Sequence, residues 1–141
     1  MIELLYFASQ IQCGVNGELL NIQVDVYHNQ ELIKTMAVNE KVLLEVDSVT
    51  DLEFEYTAID NNTDCGLSIP SELVLAPDDA VPTMAGAYDQ QSIQSMLDVL
   101  YDYEELFLVE LGTEDKNSSV YDLQDVVIKV NNDPTLGMFA D

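Results

Sequence analysis

Apolar and polar residues alternate over much of the first half of the chain. From residue 20 to residue 26 the apolar positions are Leu20, Ile22, Val24 and Val26, each separated from the next by one polar residue. A period of two is typical of a strand with one buried face. The pattern recurs over 42–47 and 51–59, and a turn at 27–30 precedes another apolar segment over 32–38. Strands at roughly ten-residue spacing with short turns predict an antiparallel meander or sandwich.

The second half of the chain adds a helical pattern. Asp89 suits an N-cap, and the apolar residues that follow at helical spacing are Ile93, Met96, Leu97, Leu100 and Tyr101. They predict one amphipathic helix over about 90–103. Strands are expected over 72–75, 106–111 and 121–130, the last two joined by a hairpin loop at 114–119. The predicted fold class is mainly β (α+β), an antiparallel β-sandwich or meander sheet with one helix, in a single domain over 1–141 whose tail, 131–141, is flexible.

The charge of the chain limits what this fold can bind. The 141 residues include 27 Asp and Glu, four Lys and no Arg, which gives a formal net charge of -23. Four cations cannot cover a phosphate backbone or an anionic bilayer. Direct binding to nucleic acid or to an anionic membrane is therefore excluded. Disordered acidic chains are poor in aromatic and β-branched residues, whereas 48% of these residues are hydrophobic. We therefore expect a packed core with the charge on its surface.

Catalytic and targeting patterns find little support in the chain. His28 is the single histidine, it falls in a predicted turn, and no Gly-x-Ser-x-Gly elbow is present. The chain is therefore not expected to be an enzyme. No apolar run reaches the length of a membrane span, and Glu3 stands where a signal peptide would carry a cation. These features predict a cytoplasmic protein, in the host cytoplasm if a phage encodes it.

Acidic residues gather on three of the predicted elements. The carboxylates concerned are Glu45, Asp47, Asp51, Glu53, Glu55, Asp98, Asp102 and Glu105. The first five lie on the strands 42–47 and 51–59, and pairing of these strands through a turn at 48–50 would place all five on one sheet surface. The last three are spaced four and three apart, on one face of the predicted helix. No cation occurs between Lys41 and Lys116 to relieve this repulsion, although opposed like charges destabilise both elements.

Two interpretations of these acids stand side by side. The first is an ordinary solvated strand face and helix face. The second is an array that imitates phosphates and occupies the basic cleft of a nucleic-acid-binding protein or nuclease complex, with association steered by charge and weakened by salt. No cofactor is expected for such a protein, and the sequence does not indicate its oligomeric state.

In charge, size and mixed fold the chain resembles the DNA-mimic proteins of phages and mobile elements. That resemblance implies an anti-defence inhibitor of restriction enzymes, CRISPR effectors or other DNA-binding proteins. It rests on composition and transfers no individual site residue.

An oxygen-rich segment at 60–66 supports an alternative function. Asp60, Asn62 and Asp64 alternate as the first ligands of a calcium loop do, although Gly66 comes one position later than in such loops. The segment 121–127 is similar to an Asp-rich motif of calcium-associated β-domains in bacterial adhesins, from which it departs at Leu123 and Gln124. The alternative is a structural or adhesive β-sandwich module of a virion or cell surface, with calcium bound at 60–64.

Overall fold

The computed structural model describes residues 1–9, 12–13, 18–19, 21–58, 70–82, 87–111 and 125–133. Within them the strands are β1 (Ile2–Ala8), β2 (Gln12–Cys13), β3 (Glu18–Leu19), β4 (Ile22–His28), β5 (Glu31–Met36), β6 (Lys41–Leu44), β7 (Glu53–Ala58), β8 (Ser71–Leu75), β9 (Glu104–Glu110) and β10 (Val126–Asn131). A 3-10 turn spans Val49–Asp51, and the single described helix, α1, spans Ala87–Asp98. The predicted fold class, mainly β with one helix, is confirmed.

The strands form two antiparallel sheets and a separate two-stranded β2–β3 ribbon. One sheet has five strands in the order β6-β1-β10-β9-β8, and the other has three in the order β5-β4-β7. The hairpin of β4 and β5, with its turn at Asn29 and Gln30, matches the predicted hairpin. The pairing of β9 with β10 is also confirmed.

A shared core holds the two sheets together. Alternate residues of β1 and β4 are buried, as with Ile22, Val24 and Val26 of β4, and they form one cluster with the inner residues of β9 and β10. The Phe54 and Phe107 rings meet across the core at a centroid distance of 4.7 Å. The Tyr6 hydroxyl donates to the Ile22 carbonyl oxygen at 2.9 Å. These contacts place β7 over β9 and β4 over β1.

The helix covers part of the outer face of the five-stranded sheet. Ile93 and Leu97 of α1 are buried against Leu75, Leu106, Leu108 and Val127 of the sheet. This second cluster spans β8, β9 and β10. Ala8 at the end of β1 packs against the margin of this cluster, and Leu43 of β6 is exposed.

The N-terminal strand β1 is an element for which the sequence pattern gave no assignment. It lies between β6 and β10, and Ile2, Leu4 and Tyr6 are all fully buried. The alternation was present in the sequence, but five apolar residues among the first six obscured it.

The predicted pairing of strand 42–47 with strand 51–59 is wrong. β6 pairs with β1 in the five-stranded sheet, and β7 pairs with β4 in the other sheet. The connecting segment buries Val46, Val49 and Leu52, so it crosses the end of the sandwich instead of reversing as a hairpin.

The predicted helix over 90–103 lies several residues too far along the chain. α1 begins at Ala87, so Asp89 falls inside the helix and is not its N-cap. It ends at Asp98, and the Leu100 amide bonds to the Leu97 carbonyl in a closing turn. Two hydrogen bonds hold the turn over 101–104 that follows. The Tyr101 amide donates to the Glu104 carboxylate, and the Glu104 amide donates to the Tyr101 carbonyl oxygen.

The start of the predicted tail is ordered structure. Asn131 ends β10, and the Asn132 side-chain amide donates to Glu105 Oε1 at 2.7 Å. The calcium segment Asp60, Asn62, Asp64, the predicted loop 114–119 and the remainder of the tail lie outside the described residues.

Candidate functional site

One end of the sandwich collects strand termini that carry acidic residues. β6 ends at this end of the sandwich, and β7 and β9 begin there. The connections that precede or follow these strands lie at the same end. At this end of the five-stranded sheet, Leu44 of β6 pairs with Ile2 of β1. The same line of residues across the sheet continues to Asn132, whose backbone amide donates to the Tyr103 carbonyl oxygen. We call this region the acidic end; its carboxylates are Glu31, Glu45, Asp47, Asp51, Glu53, Asp78, Asp79, Asp102 and Glu105.

The acidic end has a charge density close to that of nucleic acid. Its acids extend from β6 to β8, which is four strand spacings or about 19 Å. A duplex of that length carries about 11 phosphates, against nine carboxylates here. Eight of the nine are exposed, and Glu105 is half-buried. The number of these charges is therefore comparable to the number of phosphates on a duplex of this length.

Lysines in the described part of the chain stand away from these acids. Lys41 is at the start of β6, four residues from Glu45. Lys34 opposes buried Val26 in the register of β5, which puts it on the inner side of the sheet. The Lys129 ammonium lies 2.8 Å from the buried Glu104 carboxylate. None of the three therefore neutralises an exposed acid of the acidic end.

The acidic surface continues onto the outer face of the three-stranded sheet. Glu55 of β7 directly opposes Asp25 of β4, and Glu53 is on the same face. Neutral donors bond to two of these carboxylates: Thr35 and Gln23 donate to Asp25 Oδ1 at 2.8 and 3.2 Å, and Tyr27 donates to Glu55 Oε2 at 3.3 Å. The chain thus hydrogen-bonds its acids here without cancelling their charge.

The Tyr27 phenol is held in its protonated, donating form. Desolvation raises the pKa of Tyr27 above 10, and the charges of Glu55 and Asp25 and its hydrogen bond to Glu55 raise it further. It therefore remains a neutral donor across the physiological pH range.

Six of the eight acids predicted from sequence share the acidic end, and two do not. Glu55 stands farther along β7, on the outer face of the sheet. Asp98 ends α1 on the far side of the five-stranded sheet, where it accepts from Gln94 at 2.8 Å. Asp98, Asp102 and Glu105 do not share a helix face, because the helix stops at Asp98 and Glu105 belongs to β9.

Four acids of this surface were missed by the sequence pattern. They are Asp25, Glu31, Asp78 and Asp79. Asp25 was visible as a polar position of the 20–26 alternation, and Asp78 and Asp79 as acids of a Pro-containing turn. The topology, and not local spacing, brings them beside the others.

A cavity between the sheets lies away from the acidic end. No cluster of three or more His, Cys, Asp or Glu able to hold a metal occurs among the described residues. The cavity, of about 510 Å³, opens at the other end, next to Tyr6, Thr35 and Glu40. The Glu40 carboxylate accepts from the Ala37 amide at 2.6 Å, so it has a structural role there.

Comparisons with protein-family models, curated proteins and solved structures find no match for this chain. In the part of the chain that the structure describes, no helix is both long and apolar enough to cross a bilayer.

Proposed function

We propose that this chain is a non-enzymatic acidic binding protein that inhibits a basic nucleic-acid-binding partner by phosphate mimicry. The observation that carries the proposal is the acidic end, where nine carboxylates at four connections converge. The partner would be a DNA- or RNA-binding protein or nuclease complex with a cleft lined by Lys and Arg. Such proteins act in the cytoplasm, and an anti-defence role in a phage-infected host is the setting this chemistry suits.

The fixed positions of three of these acids support phosphate mimicry over the alternative that the charge only keeps the protein in solution. Glu53 stands on a paired strand, and Glu105 is on a paired strand with its carboxylate fixed by Asn132. Asp51 belongs to a 3-10 turn whose N-cap, Ser48, accepts from the Thr50 amide at 3.2 Å. Fixed charges lose less conformational entropy on binding than mobile ones, so they favour selective recognition.

Charge steering would govern how the complex forms. A field of this sign accelerates encounter with a basic cleft and weakens as salt is added. The same field repels nucleic acid, so the chain would compete for the protein partner only.

The proposal is tested by competition for a pool of DNA-binding proteins. Proteins eluted from a duplex-DNA column are applied to the immobilised chain, and in parallel to a carboxylate resin. Mimicry predicts that some proteins bind the chain but not the resin, and that added duplex DNA releases them. Retention equal to that of the resin, or retention that duplex DNA leaves unchanged, would contradict the proposal.

A pair of matched variants then locates the binding surface. Asp51→Asn/Glu53→Gln removes two charges from the acidic end, and Glu40→Gln/Glu72→Gln removes two elsewhere. For a retained protein, the first should weaken binding about tenfold at low salt and the second by less than about threefold. Equal losses would mean that only total charge matters.

A further inference from the structure

The edge strand β6 has backbone groups directed away from its sheet. Among the described residues its only neighbour is β1. The Tyr6 amide bonds to the Glu40 carbonyl at 2.9 Å, and the Asn39 amide bonds to the Tyr6 carbonyl at 2.7 Å. With Asn39 at φ 72, this is the pattern of a G1-type bulge.

That bulge sets which residues of β6 face outward. Hydrogen-bonded pairs alternate along an antiparallel ladder, so the Tyr6–Glu40 bond makes Leu4–Val42 the next hydrogen-bonded pair of this register. The N–H and C=O groups of Lys41 and Leu43 then point out of the sheet edge.

The side chains of the same residues form a self-complementary pattern. Lys41 and Leu43 are exposed on the outer face of the sheet. The alternation continues past the strand end, because Leu44 and Val46 are buried while Glu45 is exposed. Lys41 and Glu45 are therefore each two residues from Leu43, one on each side, with opposite charge, and a bend of the chain begins at Glu45.

We propose that β6 pairs antiparallel with β6 of a second copy of this chain, about a two-fold axis at Leu43. In this register Lys41 of each copy opposes Glu45 of the other, which gives two symmetric ion pairs. Leu43, 41% exposed, meets its own counterpart at the axis. The two five-stranded sheets then continue as one.

Two effects make this dimer weak. An interface of one short strand is at the small end of specific contacts, and two chains of charge -23 repel each other. A lysine on a short edge strand also commonly prevents pairing; here that lysine has a complementary carboxylate in the second copy. Pairing uses Glu45 but none of the other eight acids of the acidic end, so the dimer does not require the proposed function to be correct.

Charge-swap variants in sedimentation equilibrium test the register. At about 0.15 M ionic strength the Debye length is about 8 Å, which screens the distant charges more than the contacting pairs. Lys41→Glu and Glu45→Lys should each raise the dimer dissociation constant about tenfold or more. The double swap should restore it to within about threefold, because it re-creates both pairs.

The Glu45→Lys variant separates pairing from overall repulsion. It makes the chain two units less negative, so repulsion alone would strengthen the dimer, whereas the proposed register weakens it. Asp78→Lys makes the same charge change beside the opposite edge strand β8 and should not weaken the dimer. A purely monomeric chain, or equal behaviour of these two variants, overturns the proposal.

A cysteine at the axis gives a second test. In a hydrogen-bonded antiparallel pair the opposed Cα atoms lie about 5.5 Å apart, which a disulfide can bridge. Oxidised Leu43→Cys should form a covalent dimer, while Val38→Cys, also exposed, and the wild-type chain should not. Equal crosslinking of all three would reject an axis at Leu43.

Discussion

At the level of single residues, Tyr56 links the two sheets along one edge of the sandwich. It lies on β7, and its hydroxyl donates to Glu72 Oε2 of β8 at 2.5 Å. Burial raises the pKa of the Tyr56 phenol strongly, and the hydrogen bond and the charge of Glu72 raise it further. The neutral phenol is therefore the form that the folded state requires.

This link predicts a loss of stability in alkali. In the unfolded chain Tyr56 ionises near its ordinary pKa of 10, whereas in the folded chain it stays protonated. The folded state then binds more protons, so the free energy of unfolding falls as pH rises above about 10. In urea titrations Tyr56→Phe should flatten this fall by up to about 1.4 kcal/mol per pH unit. It should also cost about 1 kcal/mol at neutral pH through the lost hydrogen bond. An unchanged slope would contradict the assignment.

Sequence could predict burial of individual residues better than their partners. Ile22, Val24 and Val26 were expected on a buried face and are buried, because alternation alone decides that. Tyr56 and Glu72 are sixteen residues apart on strands of different sheets. Their contact depends on how the sheets stack, which no local pattern encodes.

At the level of elements, the segment from Glu45 to Leu52 decides the arrangement of both sheets. A short turn between two alternating segments favours a hairpin, and that was the expectation. Three apolar residues spaced three apart, Val46, Val49 and Leu52, gain more by burial at the end of the core than a hairpin turn would allow them. The sequence pattern therefore predicted both strands, β6 and β7, but not the sheets to which they belong. As a result, the acids meet at an end of the sandwich and not on one sheet face.

Opposed acids in the three-stranded sheet predict a stabilising substitution. Glu55 faces Asp25, whereas Glu53, on the same face of β7, faces Tyr27. Directly opposed like charges destabilise a sheet, so Glu55→Gln should raise the free energy of unfolding by about 0.5 kcal/mol. Glu53→Gln makes the same change in net charge and should give a smaller gain. Urea unfolding of the two variants measures the difference, and an equal gain would mean that long-range charge dominates over the Asp25 contact.

At the level of the whole molecule, charge and stability are coupled through the same carboxylates. Twenty-seven acids against four lysines leave the folded chain with strong self-repulsion. Asp25 and Glu105 accept hydrogen bonds from the neutral side chains of Thr35 and Asn132, which hold these carboxylates in place but leave their charge. A basic partner would relieve the repulsion on binding, so binding of that kind would also stabilise the fold.

Screening by salt should therefore raise the melting temperature. Between about 0.01 M and 1 M ionic strength the Debye length falls from about 30 Å to about 3 Å. A relief of about 1–2 kcal/mol corresponds to a rise of roughly 5 °C for a domain of this size, measured by thermal denaturation in NaCl.

The same melting experiment with CaCl2 at matched ionic strength tests for a specific calcium site. Screening alone should give the same rise in melting temperature with CaCl2 as with NaCl. An additional rise in millimolar calcium, lost in Asp60→Asn/Asp64→Asn, would mean that a specific site adds its own binding energy. A flat response to NaCl would instead mean that the acids are too far apart to repel, which would also remove the basis for a dense phosphate-like array.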